Sequence, residues 1–212
     1  MKEKLVPLGV IAAILAVATV AFVLLDGGGS ELPNGAKAAS AAGFQGEVLK
    51  PRLPAPETTL PNYTGQPVSL GSLRGKPLLV TFLYTHCPDV CPLIASNLGV
   101  ALKELGPRAA DRVNIVAISV DPKGDTPATV AKFLSDRDMR GKMDYLIGDA
   151  NQLGPVWEAW NVGSEADATN PELIAHSALV YGVSSSGKLV TIYPANFKPS
   201  QIVHDLPKLA QL

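Results

Sequence analysis

The chain has 212 residues, of which 47% are hydrophobic and 17% are charged, and its formal net charge at pH 7 is −1. A nearly neutral chain without a run of basic residues lacks the electrostatic features of a nucleic-acid-binding protein, so we exclude nucleic acid as a partner. The length that follows a compositionally biased N-terminus corresponds to one ordinary domain.

The N-terminus contains an apolar segment, Leu5–Leu25, which is 21 residues long and carries no charged side chain. As a helix it would extend about 31 Å, which matches a hydrocarbon core of roughly 30 Å and exceeds the apolar core of a cleavable signal, about 7–15 residues. Residues 1–25 are therefore expected to be a short cytoplasmic stub followed by one transmembrane helix. Because Lys2 and Lys4 precede the span, the N-terminus is expected in the cytoplasm and the functional domain outside the cell membrane.

A change of composition follows this segment. Residues 26–43 are dominated by Gly, Ala, Ser, Pro and Asn. Such a segment cannot bury enough apolar surface to become ordered, so we expect a flexible linker. The remaining residues, 44–212, are expected to form the functional domain.

Apolar periodicity and turn residues predict alternating strands and helices in this domain. A strand followed by a helix occurs twice, which predicts a right-handed crossover between parallel strands, and a hairpin and a terminal helix come later. The predicted strands are Leu78–Tyr84, Val113–Val120, Tyr145–Ile147, Ser177–Val183 and Lys188–Tyr193, and the predicted helices are Leu93–Leu105, Thr126–Asp138, Asn151–Trp160 and Gln201–Leu209. This order indicates an α/β protein with a thioredoxin-like fold, in which helices flank a central mixed sheet.

The two cysteines, Cys87 and Cys91, lie in one short run directly after the first long predicted strand. Residues four apart share a helix face with Cβ atoms about 5–6 Å apart, which suits either a reversible disulfide or a shared soft metal ion. Ligands collect beyond the carboxyl ends of strands in open α/β sheets, and a helix N-terminus favours a thiolate. A purely structural disulfide is disfavoured because so short a loop constrains little of the unfolded chain.

Two histidines are candidate neighbours of this pair. His176 precedes the first strand of the predicted hairpin, on the side from which the cysteines could be reached, although a lone histidine there is more often a surface or hydrogen-bonded residue. His86 adjoins Cys87 and could tune the pKa of its thiol, bind copper transiently or simply pack.

Thioethers and carboxylates are weaker candidates. Met139 and Met143 are four residues apart and could hold Cu(I), but such a pair is usually part of a core. Asp89, between the cysteines, is expected at a helix N-terminus. Asp121 and Asp125 follow the second long strand, where turn and cap roles compete with a role in the electrostatics of the site.

Three motifs together resemble the Sco/SenC family. They are Thr85-His-Cys-Pro-Asp-Val-Cys-Pro92, Ser119-Val-Asp-Pro-x-x-Asp-Thr-Pro127, and His176-Ser177 before a strand. The resemblance extends over about residues 54–209. It implies a membrane anchor, a thioredoxin fold with an additional N-terminal β-hairpin, and a copper site.

The resemblance also implies which residues bind the metal and what the protein does. Cys87, Cys91 and His176 are expected to bind one copper ion per chain, as Cu(I) or Cu(II). The implied partner is the cytochrome c oxidase subunit that carries the binuclear copper site, which the protein would supply with copper during oxidase assembly. A copper-loading chaperone and a thioredoxin-like reductant are further candidate partners.

A second function is left open by the same residues. The protein could be a thiol-disulfide reductase that keeps the copper-ligand cysteines of its target reduced, with Cys87 attacking and Cys91 resolving. The three-residue spacing differs from the two-residue motif of dedicated oxidoreductases, and exchange alone does not need His176, so this function ranks second.

One residue departs from the family pattern. The position before the histidine is commonly Asp in the family and here is Ala175. A carboxylate there would orient the imidazole and raise its basicity. Asp121 or Asp125 is a candidate to replace it.

Overall fold

The computed structural model describes residues 43–163 and 178–212, together with the backbone of residues 165–166 and 174–175. Contacts divide the chain between Lys37 and Ala38, and the described residues all lie in the second unit. The expected transmembrane segment and all but the last residue of the expected linker lie outside the described residues, as does His176. Within the described parts of the chain, no helix is long and apolar enough to cross a membrane.

A mixed β-sheet forms the centre of the domain. The strands in chain order are β1 (Glu47–Val48), β2 (Thr59–Pro61), β3 (Pro67–Ser69), β4 (Leu78–Leu83), β5 (Asn114–Ser119), β6 (Asp144–Leu146), β7 (Glu165–Ala166), β8 (Ile174–Ala175), β9 (Leu179–Val183) and β10 (Leu189–Pro194). Six of them form one sheet in the order β1-β10-β9-β4-β5-β6. Strands β4, β5 and β6 run parallel, whereas β9 and β10 are antiparallel to their neighbours, which confirms the predicted mixed sheet.

Helices connect the strands and pack on the sheet. They are α1 (Val90–Leu105), α2 (Pro107–Ala110), α3 (Pro127–Ser135), α4 (Ala150–Ala159) and α5 (Pro199–Leu209), with a 3-10 turn at Leu70–Leu73. Thr126 caps α3 as predicted, by accepting a hydrogen bond from the backbone of Thr129. Helix α3 ends three residues before the predicted end, because Asp138 adopts a left-handed backbone with φ of 53°. The Gly106-Pro107 pair ends α1 as predicted, and the proline also starts the short α2.

Strand β4 lies at the centre of the core and carries the cysteine segment at its carboxyl end. All six of its residues are buried, as the unbroken apolar run predicted. The Phe82 ring makes edge-to-face contacts with Trp160 and Tyr181, at centroid distances of 5.7 and 6.2 Å. This packing fixes the strand that delivers the site.

The additional hairpin implied by the family resemblance is present. Strands β2 and β3 pair antiparallel as a separate two-stranded sheet. The hairpin is attached to the edge of the main sheet because Asn62 Nδ2 donates to Asp144 Oδ1 at 3.0 Å and the Tyr63 amide donates to the Tyr145 carbonyl at 2.9 Å. It therefore covers the edge strand β6.

A buried carboxylate joins the start of the domain to its last helix. Asp205 of α5 is fully buried and accepts hydrogen bonds from the Gly46 amide at 2.8 Å, the Gln45 amide at 2.9 Å and the Tyr193 hydroxyl at 2.9 Å. Burial raises the pKa of Tyr193, so its hydroxyl keeps its proton and remains a donor to Asp205. The carboxylate thus holds together β10, α5 and the segment that precedes β1.

The Asp205→Ala substitution tests how much this interaction contributes to the stability of the domain. Two amides and one hydroxyl would lose their buried acceptor, so we expect the free energy of unfolding to fall by about 3 kcal/mol. Urea unfolding of residues 38–212 measures the change. Asp136→Ala is the control, because Asp136 forms an exposed ion pair with Lys132 and should change stability little. Equal, small losses in the two variants would contradict the assigned role of Asp205.

Candidate metal centre

The cysteine segment lies between the carboxyl end of β4 and the first turn of α1. Cys91 is the second residue of α1, whereas Cys87 precedes the helix by three residues. Pro88 disfavours a helical backbone at Cys87, so the helix can begin only after it. The two cysteines are therefore not stacked on one helix face, as the spacing alone predicted, but are brought together by a turn and a helix N-terminus.

The two cysteines are joined by hydrogen bonds. The Cys91 amide donates a hydrogen bond to Cys87 Sγ at 3.4 Å, and the two side chains also hydrogen-bond each other. Neither cysteine forms a disulfide here. Cys87 is 8% exposed and Cys91 is fully buried, so Cys87 lies nearer the surface of the pair.

The pair is electrostatically asymmetric. The pKa of Cys87 is lowered from 9.0 to about 5, chiefly by the hydrogen bond from the Cys91 side chain, with further help from the amides of Asp89 and Cys91. The same hydrogen bond raises the pKa of Cys91 far above its usual value, and burial raises it further. At neutral pH the pair is therefore one thiolate, at Cys87, hydrogen-bonded by one thiol, at Cys91.

A single carboxylate organises the edge of the sheet beneath this pair. Asp125 is 5% exposed and accepts the Thr85 amide at 2.8 Å, the Ser119 hydroxyl at 2.7 Å and the Tyr145 hydroxyl at 2.8 Å. Burial raises the pKa of Asp125, and these hydrogen bonds oppose the rise. The negative charge of Asp125 also contributes to the raised pKa of Cys91.

The other candidate residues from the sequence lie in different environments. Met139 and Met143 are core residues, 0% and 3% exposed, which agrees with the packing role. Asp89 is the residue at the start of α1 but forms no capping hydrogen bond through its side chain. Asp121 and His86 lie close to Asp125, with one ligand atom of each within 4.8 Å of the others.

The surroundings of His176 are known only from the backbone before it. Strand β8 ends at Ala175, and Ala175 pairs with Glu165 of β7 in an antiparallel register. An acidic residue therefore occupies the register position opposite the residue that departs from the family pattern. His176 itself, and with it the three-residue ligand set, stays a prediction.

Sequence reasoning missed the partners of Asp125. Ser119 stands in a quoted motif and could have been considered, since it ends β5 six residues before Asp125. Tyr145 gave no comparable signal, because it looked like one more apolar residue of an edge strand. Trp157 was also missed, and its indole Nε1 donates to the Ser119 carbonyl at 2.9 Å.

Comparison with known proteins identifies the family. The SCO1/SenC family profile matches residues 53–211, and the chain belongs to this family. The SCO1 protein homolog of Bacillus subtilis is 30% identical over 139 residues, which are 64% of this chain and 70% of that protein. The mitochondrial SCO2 protein of Saccharomyces cerevisiae is 27% identical over 142 residues, 65% of this chain, and the match spans only 46% of the yeast protein's own length.

Solved structures agree with this assignment. The copper-bound structure of ScoI from Bradyrhizobium japonicum is 33% identical, with a TM-score of 0.64, and the match covers 73% of this chain and 98% of that one. The structure of BsSco, described as having a disulfide switch and as a member of the Sco family of cytochrome c oxidase assembly proteins, is 25% identical, with a TM-score of 0.64 and coverage of 78% and 98%. The thioredoxin-like fold is thereby confirmed.

The charge of Cys87 can be measured by a pH titration of the reduced, metal-free protein. Because the pKa is lowered, the thiolate should persist above pH 5 and disappear as the pH falls through about 5. The ultraviolet absorbance of the thiolate reports the transition, and Cys87→Ala should abolish it. In Cys91→Ala the midpoint should move up, since the stabilising S–H donor is gone. A midpoint near 9.0 in the unaltered protein would contradict the asymmetric pair.

The role of Asp125 is open to a stability measurement. Asp125→Ala removes the acceptor of three hydrogen bonds at a buried position, and we expect a loss of about 3 kcal/mol in the free energy of unfolding. Tyr145→Phe removes one of those donors and leaves no hydroxyl without an acceptor, so the free energy of unfolding should fall much less. If the two variants were equally stable, Asp125 would not be the residue on which this edge depends.

Proposed function

We propose that the protein is a membrane-anchored, extracytoplasmic copper-binding protein that delivers copper to the binuclear copper site of cytochrome c oxidase and assists its assembly. The observation that carries the proposal is the hydrogen-bonded pair of free cysteines at the carboxyl edge of the sheet, in which the pKa of Cys87 is lowered to about 5. Relatives described with copper bound, and one described as an oxidase assembly protein, support the same function.

The donor set of this function is Cys87, Cys91 and His176. Thiolates select a soft ion such as Cu(I), and an imidazole suits copper in either oxidation state. Three protein ligands leave the ion accessible to a competing ligand on the partner. A site of this kind transfers its metal, whereas a closed four-ligand site retains it.

The asymmetry of the cysteine pair gives an order to metal loading. Cys87 is the more exposed sulfur and carries the charge, so it meets the ion first. The ion then takes the place of the Cys91 proton as the partner of the Cys87 thiolate, and Cys91 releases that proton as it becomes the second sulfur ligand. Because the side chains of the two cysteines are already hydrogen-bonded to each other, this step needs little movement of the backbone.

The cellular arrangement is part of the proposal and rests on the sequence. The apolar segment Leu5–Leu25 would anchor the chain, and Lys2 and Lys4 would keep the N-terminus in the cytoplasm. The domain would then face the side on which the oxidase displays its copper-binding subunit. That compartment is oxidising, so a thioredoxin-like reductant and a copper-loading chaperone are the further partners that such a function requires.

Copper binding by variants tests the ligand set. The reduced protein should bind one Cu(I) per chain, Cys87→Ser and Cys91→Ser should abolish tight binding, and His176→Ala should weaken it about tenfold or more. Competition with a chromogenic Cu(I) chelator measures the affinities. His204→Ala is the matched control, because His204 is an exposed histidine of α5. Binding that survives all three ligand substitutions would overturn the site.

A thiol-disulfide reductase is the second candidate function, favoured by the low pKa of Cys87, which makes this sulfur a ready nucleophile at neutral pH. Oxidase activity in a strain that lacks the gene separates the two functions. Copper delivery predicts that His176→Ala fails to restore activity, as Cys87→Ser does. Full restoration by His176→Ala would favour the reductase.

A further inference from the structure

A second group of potential ligands lies beside the cysteine pair and is not used by it. His86, Asp121 and Asp125 each present one ligand atom, and these atoms lie within 4.8 Å of one another. Gly124 makes this approach possible: a Cβ at position 124 would overlap the Asp121 carboxylate and lie 3.0 Å from His86 Nδ1. Position 124 is a glycine, and any side chain there would come between His86 and Asp121.

The hydrogen bonds show which atoms of this group are available. Both oxygens of Asp125 already accept hydrogen bonds, Oδ1 from the Thr85 amide and Oδ2 from the hydroxyls of Ser119 and Tyr145, so Asp125 is committed to the fold. Asp121 uses Oδ1 to accept the amides of Lys123 and Gly124, at 3.1 and 2.8 Å. Its other oxygen, Oδ2, is the one that approaches the position of the missing Cβ at Gly124.

The histidine is held in a similar way. His86 Nδ1 lies 3.2 Å from Thr85 Oγ1. Of the two ring nitrogens, Nδ1 is the one that has a hydrogen-bond partner among the described residues. The imidazole is exposed, Asp121 is half-buried, and the thiols beyond them are buried. An ion that arrives from solvent therefore reaches the imidazole and the carboxylate before it reaches the sulfurs.

These donors differ in chemistry from the cysteine pair. An imidazole nitrogen and a carboxylate oxygen favour a divalent ion such as Cu(II), whereas two thiolates favour Cu(I). Among the common divalent ions of the first transition row, Cu(II) binds nitrogen and oxygen ligands most tightly. Two protein ligands, with water completing the coordination, give an open site that exchanges its ion readily.

We propose that His86 and Asp121 form a second copper site, which holds Cu(II) next to the Cys87–Cys91 pair. The proposal rests on the copper-binding function proposed above and adds to it a docking point for the oxidised ion. Because His86 and Cys87 are consecutive residues, with Cα atoms about 3.8 Å apart, the ion can pass between the two sites by ligand exchange. Asp125 anchors this site through the Thr85 amide but is not a ligand.

The test uses the full chain without its first copper site, as the triple variant Cys87→Ser, Cys91→Ser, His176→Ala. Titrated with Cu(II) alone, it should bind about one ion per chain, and electron paramagnetic resonance should show nitrogen and oxygen ligands including one imidazole. Adding His86→Ala should weaken binding about tenfold or more and remove the imidazole coupling. Adding Asp121→Asn should also weaken it, while leaving Oδ1 to accept the amides of the turn.

Matched variants control for folding and for other histidines. His204→Ala in the triple variant should leave the Cu(II) affinity and the spectrum unchanged, and Gly124→Ala should weaken binding although both ligands remain. Circular dichroism confirms that each variant is folded. Failure of the triple variant to bind Cu(II), or binding that ignores both His86→Ala and Asp121→Asn, would overturn the second site. Cu(I) binding by the unaltered protein is measured separately, so failure of the proposed function would be recognised independently.

Discussion

The buried carboxylate of Asp125 is the interaction on which the functional end of this molecule depends. Thr85 follows β4, Ser119 ends β5 and Tyr145 lies in β6, and all three donate a hydrogen bond to this one side chain. The carboxyl ends of three parallel strands are thus fixed relative to one another. A buried charge is costly in itself, and the cost is offset because three donors, two of them on the buried residues Ser119 and Tyr145, are in place around it.

This constraint determines where the cysteines lie. Thr85 is two residues before Cys87, so the hydrogen bond from its amide fixes the point at which the chain leaves β4. The turn at Pro88 and the start of α1 then bring Cys91 back to Cys87. The hydrogen bond between the two side chains lowers the pKa of Cys87 and raises the pKa of Cys91, so Cys87 is the thiolate and Cys91 keeps its proton. A pair prepared in this way accepts a metal ion without first having to assemble, which suits the copper-delivery function proposed above.

The same edge of the sheet carries a second kind of donor. The loop after β5 supplies Asp121, and the residue before Cys87 supplies His86, so that the nitrogen and oxygen groups of the proposed second site share this edge with the two thiols. Both sets depend on Asp125, because it holds the β4 end and belongs to the loop that carries Asp121. The part of the chain that matches the SCO1/SenC family includes the cysteine pair. The close approach of His86 and Asp121 at Gly124 is visible only in the structure.

Much of the fold follows from local pattern. The buried run of β4, the capped start of α3 at Thr126 and the Gly106-Pro107 end of α1 were predicted because periodicity, caps and helix-ending residues are local signals. The cysteine motif likewise identified a redox or metal site from a few neighbouring residues, and the motifs assigned its family. What the sequence could not determine was the contacts between distant segments. Tyr145 became a partner of Asp125, and Asp205 joined both ends of the domain, because the sheet order brings them together. The division of charge between Cys87 and Cys91 was also decided by the tertiary structure, since a pKa depends on burial and hydrogen bonds that exist only when the chain is folded.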